Sequence, residues 1–205
     1  MSAVLSVAMG YLIGCISPAS WISGKKKVDL KKEGTKNLGA TNTALVLGKS
    51  AGIFVMIFDI AKSVFSYKLA RLIFPYLRIA GILACIGTIL GHCYPIFLHF
   101  QGGKGLAAFG GLILAYNPWF FPAIVIPGII LMLIFNTGVV APLYGCIMFP
   151  ILVGWFSRNY FDTLAVLIAS GIIFMTHLSN FRLAKNKNDV VKTNEFMSIV
   201  FGKEK

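Results

Sequence analysis

Charge is scarce in this chain. Only 13% of its 205 residues are charged and seven are acidic, against about 25% charged in a soluble domain. With 57% hydrophobic residues and a mean hydropathy of +0.80, the composition excludes a water-soluble globule. No polar stretch reaches domain size. The four cysteines, Cys15, Cys85, Cys93 and Cys146, show no CxxC spacing and lie in or beside apolar runs, so they read as reduced packing residues, and no metal or cofactor is expected. There is no Gly-x-Ser-x-Gly elbow and no His-x-x-x-x-Asp element, which removes the usual nucleophile and base of thioester-dependent acyl transfer. Nor is there a Walker loop, because Thr43 stands five positions before Gly48-Lys49-Ser50 where that motif needs glycine. The net charge of +12 is not interleaved with base-stacking aromatics, so no nucleic-acid partner is expected.

What the chain does have is apolar runs. A helix needs roughly 20 residues to cross a hydrocarbon core of about 30 Å, and candidate segments recur at about 2–23, 47–73, 79–100, 105–117, 118–135, 138–156 and 162–179. No Lys or Arg precedes the first, whereas Lys25, Lys26 and Lys27 follow it, the reverse of a signal peptide's charge order. The expectation is an all-α integral membrane protein of about seven transmembrane helices, amino terminus out and carboxyl terminus in. One membrane domain spans 1–181 and a basic cytoplasmic tail 182–205. Alternating the segments from an outward start places fourteen of the 19 basic residues on the inner side, as positive-inside placement requires. Asn117-Pro118 must interrupt the helix there, since proline lacks an amide hydrogen and constrains its predecessor.

Two inner loops have the composition of an anion site. Residues 33–42 combine Gly34, Asn37, Gly39, Thr41 and Asn42 with Lys31 and Lys36, a loop able to present backbone amides and a helix amino terminus to a phosphate. Gln101 is followed by Gly102, Gly103, Lys104 and Gly105, where glycines permit close backbone approach and the ammonium supplies a point charge. Either loop could equally be a solvated turn. Asp59 and Lys62, three residues apart in the second segment, can pair on one helix face; each costs about 2.5–3.5 kcal/mol at a membrane centre, so the pair needs a reason, structural or functional. His92, His177 and Asn180 fall at segment ends expected on the same inner side, and Asp59, Lys62 and His92 are counted with the two loops as candidate substrate- and phosphate-binding residues.

Taken together, Gly39-Ala40-Thr41-Asn42, Asp59 with Lys62, Gly91-His92 followed by Pro95 and Phe97, Gly102-Gly103-Lys104-Gly105, and His177 with Asn180 resemble the bacterial acyl-phosphate:glycerol-3-phosphate acyltransferases from about Tyr11 to Asn180. That family has Gly-Ser-Ile-Pro where this chain reads Gly14-Cys15-Ile16-Ser17, arginine at Lys31, and Gly-Ser-Gly-Asn at Gly34-Thr35-Lys36-Asn37. It also has Arg-Tyr-Val-Ser near Thr137-Gly138-Val139-Val140, and His-Arg-x-Asn at His177-Leu178-Ser179-Asn180.

The resemblance implies a monomeric multi-pass enzyme of the bacterial inner (plasma) membrane with a cytoplasmic active site. It implies transfer of a fatty acyl group from acyl phosphate to the sn-1 hydroxyl of glycerol-3-phosphate, giving lysophosphatidic acid for phospholipid biosynthesis, with membrane lipid as its surroundings. An acyl phosphate is already an activated anhydride, so positioning two phosphorylated substrates is most of the task. The 34–42 loop with Lys31 and Lys36 is assigned to one phosphate and the Gly102–Gly105 loop to the other, with His177 and Asn180 as orienting catalytic groups. Competing readings are a small transporter or channel, suggested by the intramembrane Asp59/Lys62 pair, and a non-catalytic relative that binds phospholipid headgroups.

Overall fold

The computed structural model describes residues 1–185, with side chains through Leu178. Every regular element among these residues is a helix. In order they are α1 (Ser2–Gly14), α2 (Pro18–Lys26), α3 (Ala40–Leu47), α4 (Lys49–Ile73), α5 (Ala80–Cys93), a 3₁₀ turn (Ile96–Leu98), α6 (Leu106–Tyr116), α7 (Phe120–Phe135), α8 (Val140–Ser157) and α9 (Tyr160–Lys185). Four stretches, residues 2–26, 80–98, 140–157 and 160–178, are long and apolar enough to cross a membrane. With 25 residues, α4 reaches about 37 Å but carries Asp59, Lys62, Lys68 and Arg71 along it. At 11 and 16 residues, α6 and α7 span only about 16 and 24 Å.

Two helix boundaries have plain chemical causes. Asn117 is extended (φ −151°, ψ 114°) and ends α6, as the following proline demands. The first apolar segment is not one continuous helix. Ser17 is extended, its side chain accepts the Ser20 N–H, and Pro18 opens α2 at its first position, so the chain stops and restarts at Cys15–Ser17. This break leaves the last carbonyls of α1 without intrahelical partners.

The chain forms two compact units, residues 1–117 and residues 118 onward. In the first, α1 and α5 pack backbone to backbone. A Cβ on Gly10 or Gly14 would collide with the Ala84 or Thr88 carbonyl of α5, and one on Gly87 or Gly91 with the Val7 or Tyr11 carbonyl of α1; this is the close small-residue approach by which membrane helices gain dispersion contacts. Also in this unit, α4 packs on α1, α5 and α6, and Leu30 and Leu38 of the loop before α3 are buried with Ala19 and Val55. In the second unit α8 packs on both α7 and α9, with Phe149, Val153, Val166, Ala169 and Ile173 in its interior.

Candidate active site

The loop between α2 and α3 is wound around one buried amide. Asn42, in the first turn of α3 and fully buried, accepts the Thr35 N–H through Oδ1 at 2.6 Å. Its Nδ2 donates to the carbonyls of Leu30 and Asn37, both at 2.8 Å. The amide's two donors and its acceptor are thus spent on the loop itself. Gly34 has φ +57° and its missing Cβ would strike Asn42 Oδ1, so the position requires glycine on two counts. Asn37 repeats the pattern one turn on: Nδ2 donates to the Thr35 carbonyl and hydroxyl at 2.9 Å, and Oδ1 accepts the Gly39 N–H at 3.0 Å. Lys36 and Thr41 are left exposed at the surface of this frame. Lys31 donates to the Leu98 carbonyl at 3.3 Å.

The glycine-lysine loop folds back on the end of α5. Gly102 N–H donates to the Cys93 carbonyl and Gly103 N–H to the His92 carbonyl, each at 3.1 Å, so carbonyls that a helix end leaves orphaned are satisfied by the loop. A Cβ on Gly102 would run into the His92 carbonyl, and one on Gly103 into His92 Nε2. Gly105, at φ +83°, turns the chain into α6. Lys104, between these glycines, is half-buried, and burial pushes its ammonium below the ordinary lysine value; an anion beside it would restore the charged form. The Leu38 N–H donates to the Gly102 carbonyl at 3.3 Å. The two loops that composition singled out are therefore one joined surface.

Beneath that surface lies a buried charge cluster. Lys62 Nζ stands 2.8 Å from Asp59 Oδ1 and donates to the carbonyls of Gly14 and Ile16 at 3.0 and 2.9 Å. It therefore caps the broken end of α1, a favoured place for a cation. His92 Nδ1 lies 3.1 Å from Lys62 Nζ and 3.3 Å from Asp59 Oδ1. The i, i+3 pairing read from sequence is present, but its partners in space are α1 and α5, which spacing along α4 could not reveal.

His177 belongs to the second unit. It is buried on α9, where Nδ1 donates to the Ile173 carbonyl of its own helix at 2.8 Å. The side chain of Asn180 and the 186–205 portion of the tail lie outside the described residues.

The glycerol-3-phosphate acyltransferase family model matches residues 4–187. This chain belongs to that family. A glycerol-3-phosphate acyltransferase of Macrococcus caseolyticus is 45% identical, covering 69% of this chain and 71% of its own, and one of Lactiplantibacillus plantarum is 35% identical, covering 91% and 90%. Crystal structures of PlsY (YgiH), described as an integral membrane glycerol 3-phosphate acyltransferase, superpose with a TM-score of 0.86 for the glycerol 3-phosphate form and 0.84 for the lysophosphatidic acid form. Both are 26% identical; they cover 96% and 98% of this chain and 99% and 100% of their own.

Proposed function

We propose that the chain transfers a fatty acyl group from acyl phosphate to the sn-1 hydroxyl of glycerol-3-phosphate. The hydroxyl oxygen attacks the acyl carbonyl carbon, the carbon–oxygen bond to phosphate breaks, and lysophosphatidic acid and inorganic phosphate result. No acyl-enzyme is needed, because the donor is already an anhydride. The observation that carries this reading is the joint between Leu38 and Gly102, which sets a lysine-flanked loop beside the glycine-lysine loop and supports reading them as two phosphate subsites. Lys104, Lys31 and Lys36 supply positive potential where charge builds up on the tetrahedral oxyanion. Asn42, Asn37, Gly34 and Gly39 support this reading as the frame of the first loop. The fatty chain lies against the apolar cleft of about 280 Å³ bordered by Leu12, Ile16, Trp21, Phe97 and Leu98.

The protein works as a monomer in the bacterial plasma membrane, with seven spans, its amino terminus outside and both loops in the cytoplasm. The basic-residue asymmetry supports this topology, and labelling of Lys25–Lys27 from the outer side of intact cells would overturn it. Purified protein given labelled glycerol-3-phosphate and acyl phosphate should form labelled lysophosphatidic acid; absence of that product would sink the functional reading.

A further inference from the structure

The buried cluster under the glycine-lysine loop has an odd member. Lys62 has three N–H donors, and three aligned acceptors surround it: the Gly14 carbonyl, the Ile16 carbonyl and His92 Nδ1. Asp59 contributes charge at 2.8 Å, while neither of its oxygens makes an aligned hydrogen bond. An ammonium 3.1 Å away can only donate, so His92 Nδ1 is the acceptor and the ring N–H is on Nε2, an assignment made from this network. Nε2 is the ring atom set against Gly103, where a Cβ would collide with it. His92 is 8% exposed, and no described residue accepts from Nε2. The ring is thus largely buried while its Nε2 edge faces the loop, where a ligand can accept from it.

We infer that His92 is a direct ligand of the anion seated in the glycine-lysine loop, donating through Nε2–H, and that Lys62 is a positioning residue that fixes the required tautomer. The inference rests on the proposed phosphate-holding role of that loop and adds a neutral donor to it. Asp59 keeps the Lys62 ammonium compensated inside the membrane, so the triad delivers one oriented N–H without net buried charge. It also explains the energetic cost of Asp59 and Lys62 within α4.

The test compares isosteres in the full-length purified enzyme. In His92→Gln the side-chain amide nitrogen reaches about the place of Nε2, whereas His92→Asn offers an amide only near Nδ1. His92→Gln is expected to keep both KM values within about threefold, and His92→Asn to raise one of them about tenfold while leaving the other unchanged, the scale of one lost hydrogen bond to a charged group. Equal behaviour of the two variants would overturn the assignment. A second measurement does not depend on variants folding well. In protein labelled with ¹⁵N-histidine, which has three histidines, His92 should show a bare Nδ1 and a protonated Nε2. The Nε2 signal should move on titration with glycerol-3-phosphate or inorganic phosphate, and Lys62→Met combined with Asp59→Leu should scramble the tautomer. A protonated Nδ1, or an Nε2 signal unmoved by a ligand shown calorimetrically to bind, refutes the proposal. Absence of both binding and turnover in the wild type removes the functional reading, and the inference with it.

Discussion

Replacing Gly103 by alanine adds one methyl group at the point where the loop leans on His92. The new Cβ would overlap His92 Nε2 and come within 3.0 and 3.2 Å of two ring carbons, well inside ordinary contact, so loop and ring must separate by on the order of 1 Å. The ring cannot retreat cheaply, since Nδ1 is held by Lys62. The loop moves instead, and the Gly103 N–H bond to the His92 carbonyl is stretched or lost. Overpacking costs about 1–3 kcal/mol and the hydrogen bond about 0.5–1.5 kcal/mol, less than a folded protein of this size can bear. A displacement of that size near the chemistry can cost about a hundredfold in rate. Gly103→Ala should therefore be a folded protein with kcat/KM reduced about a hundredfold. Gly171→Ala, at a helical position with no atom within 4 Å of the added Cβ, is the matched control and should lose nothing. Lysophosphatidic acid formation in detergent, with thermal unfolding of the same samples, gives both quantities. Wild-type kcat/KM in Gly103→Ala would refute the contact and the site built on it.

Lys104→Ala should abolish or severely reduce acyl transfer while leaving the unfolding temperature nearly unchanged, as chromatography and a thermal scan would show; undiminished turnover would return the loop to a plain turn. Burial holds the Lys104 pKa below its ordinary 10.5, and the ammonium is the form that binds phosphate. Activity at subsaturating substrate should thus fall with rising pH before 10.5 and persist to higher pH when substrate saturates. In stability terms the unfolded chain binds the Lys104 proton more readily, so this residue opposes folding below its folded pKa and ceases to do so as pH rises toward the unfolded value. Asn42→Ala leaves the Leu30 and Asn37 carbonyls and the Thr35 amide unpaired, at about 1–3 kcal/mol for each group that stays buried; a thermal scan should show marked destabilisation, and an unchanged transition would mean the loop holds itself.

Much of the architecture was legible because membrane physics writes it in composition. The helix end at Asn117-Pro118 follows from a missing amide hydrogen and from the limits proline sets on its predecessor. The break at Cys15–Ser17 was less visible. A serine cap and a proline inside an otherwise apolar run are helix-start signals, yet the run is long enough to pass for one span. The site divides the same way. Both loops could be found by their glycines, amides and lysines, while the hydrogen bond that joins them uses the amide of Leu38, a residue type with nothing to single it out. Asn42 looked like a phosphate ligand by type, and its burial and three internal bonds make it the frame on which such ligands are mounted.

The Asp59/Lys62 pair shows what a one-dimensional reading can and cannot deliver. Spacing established that the two share a face and that their presence in an apolar helix demands compensation; it could not say where the remaining lysine protons go. Replacing the pair tests the energetic argument. Lys62→Met alone leaves an uncompensated carboxylate and two uncapped carbonyls, and should destabilise by about 3–5 kcal/mol. Adding Asp59→Leu removes the orphaned charge and should recover much of that stability, because well-packed apolar replacements of buried pairs are often neutral. Catalysis should not recover with it, since the two apolar side chains would offer His92 no hydrogen to set its tautomer. Recovery of both together in the double variant would mean that the pair serves folding alone, and a failure of the second substitution to restore any stability would mean that the lost carbonyl caps of Gly14 and Ile16, rather than the buried charge, dominate the cost.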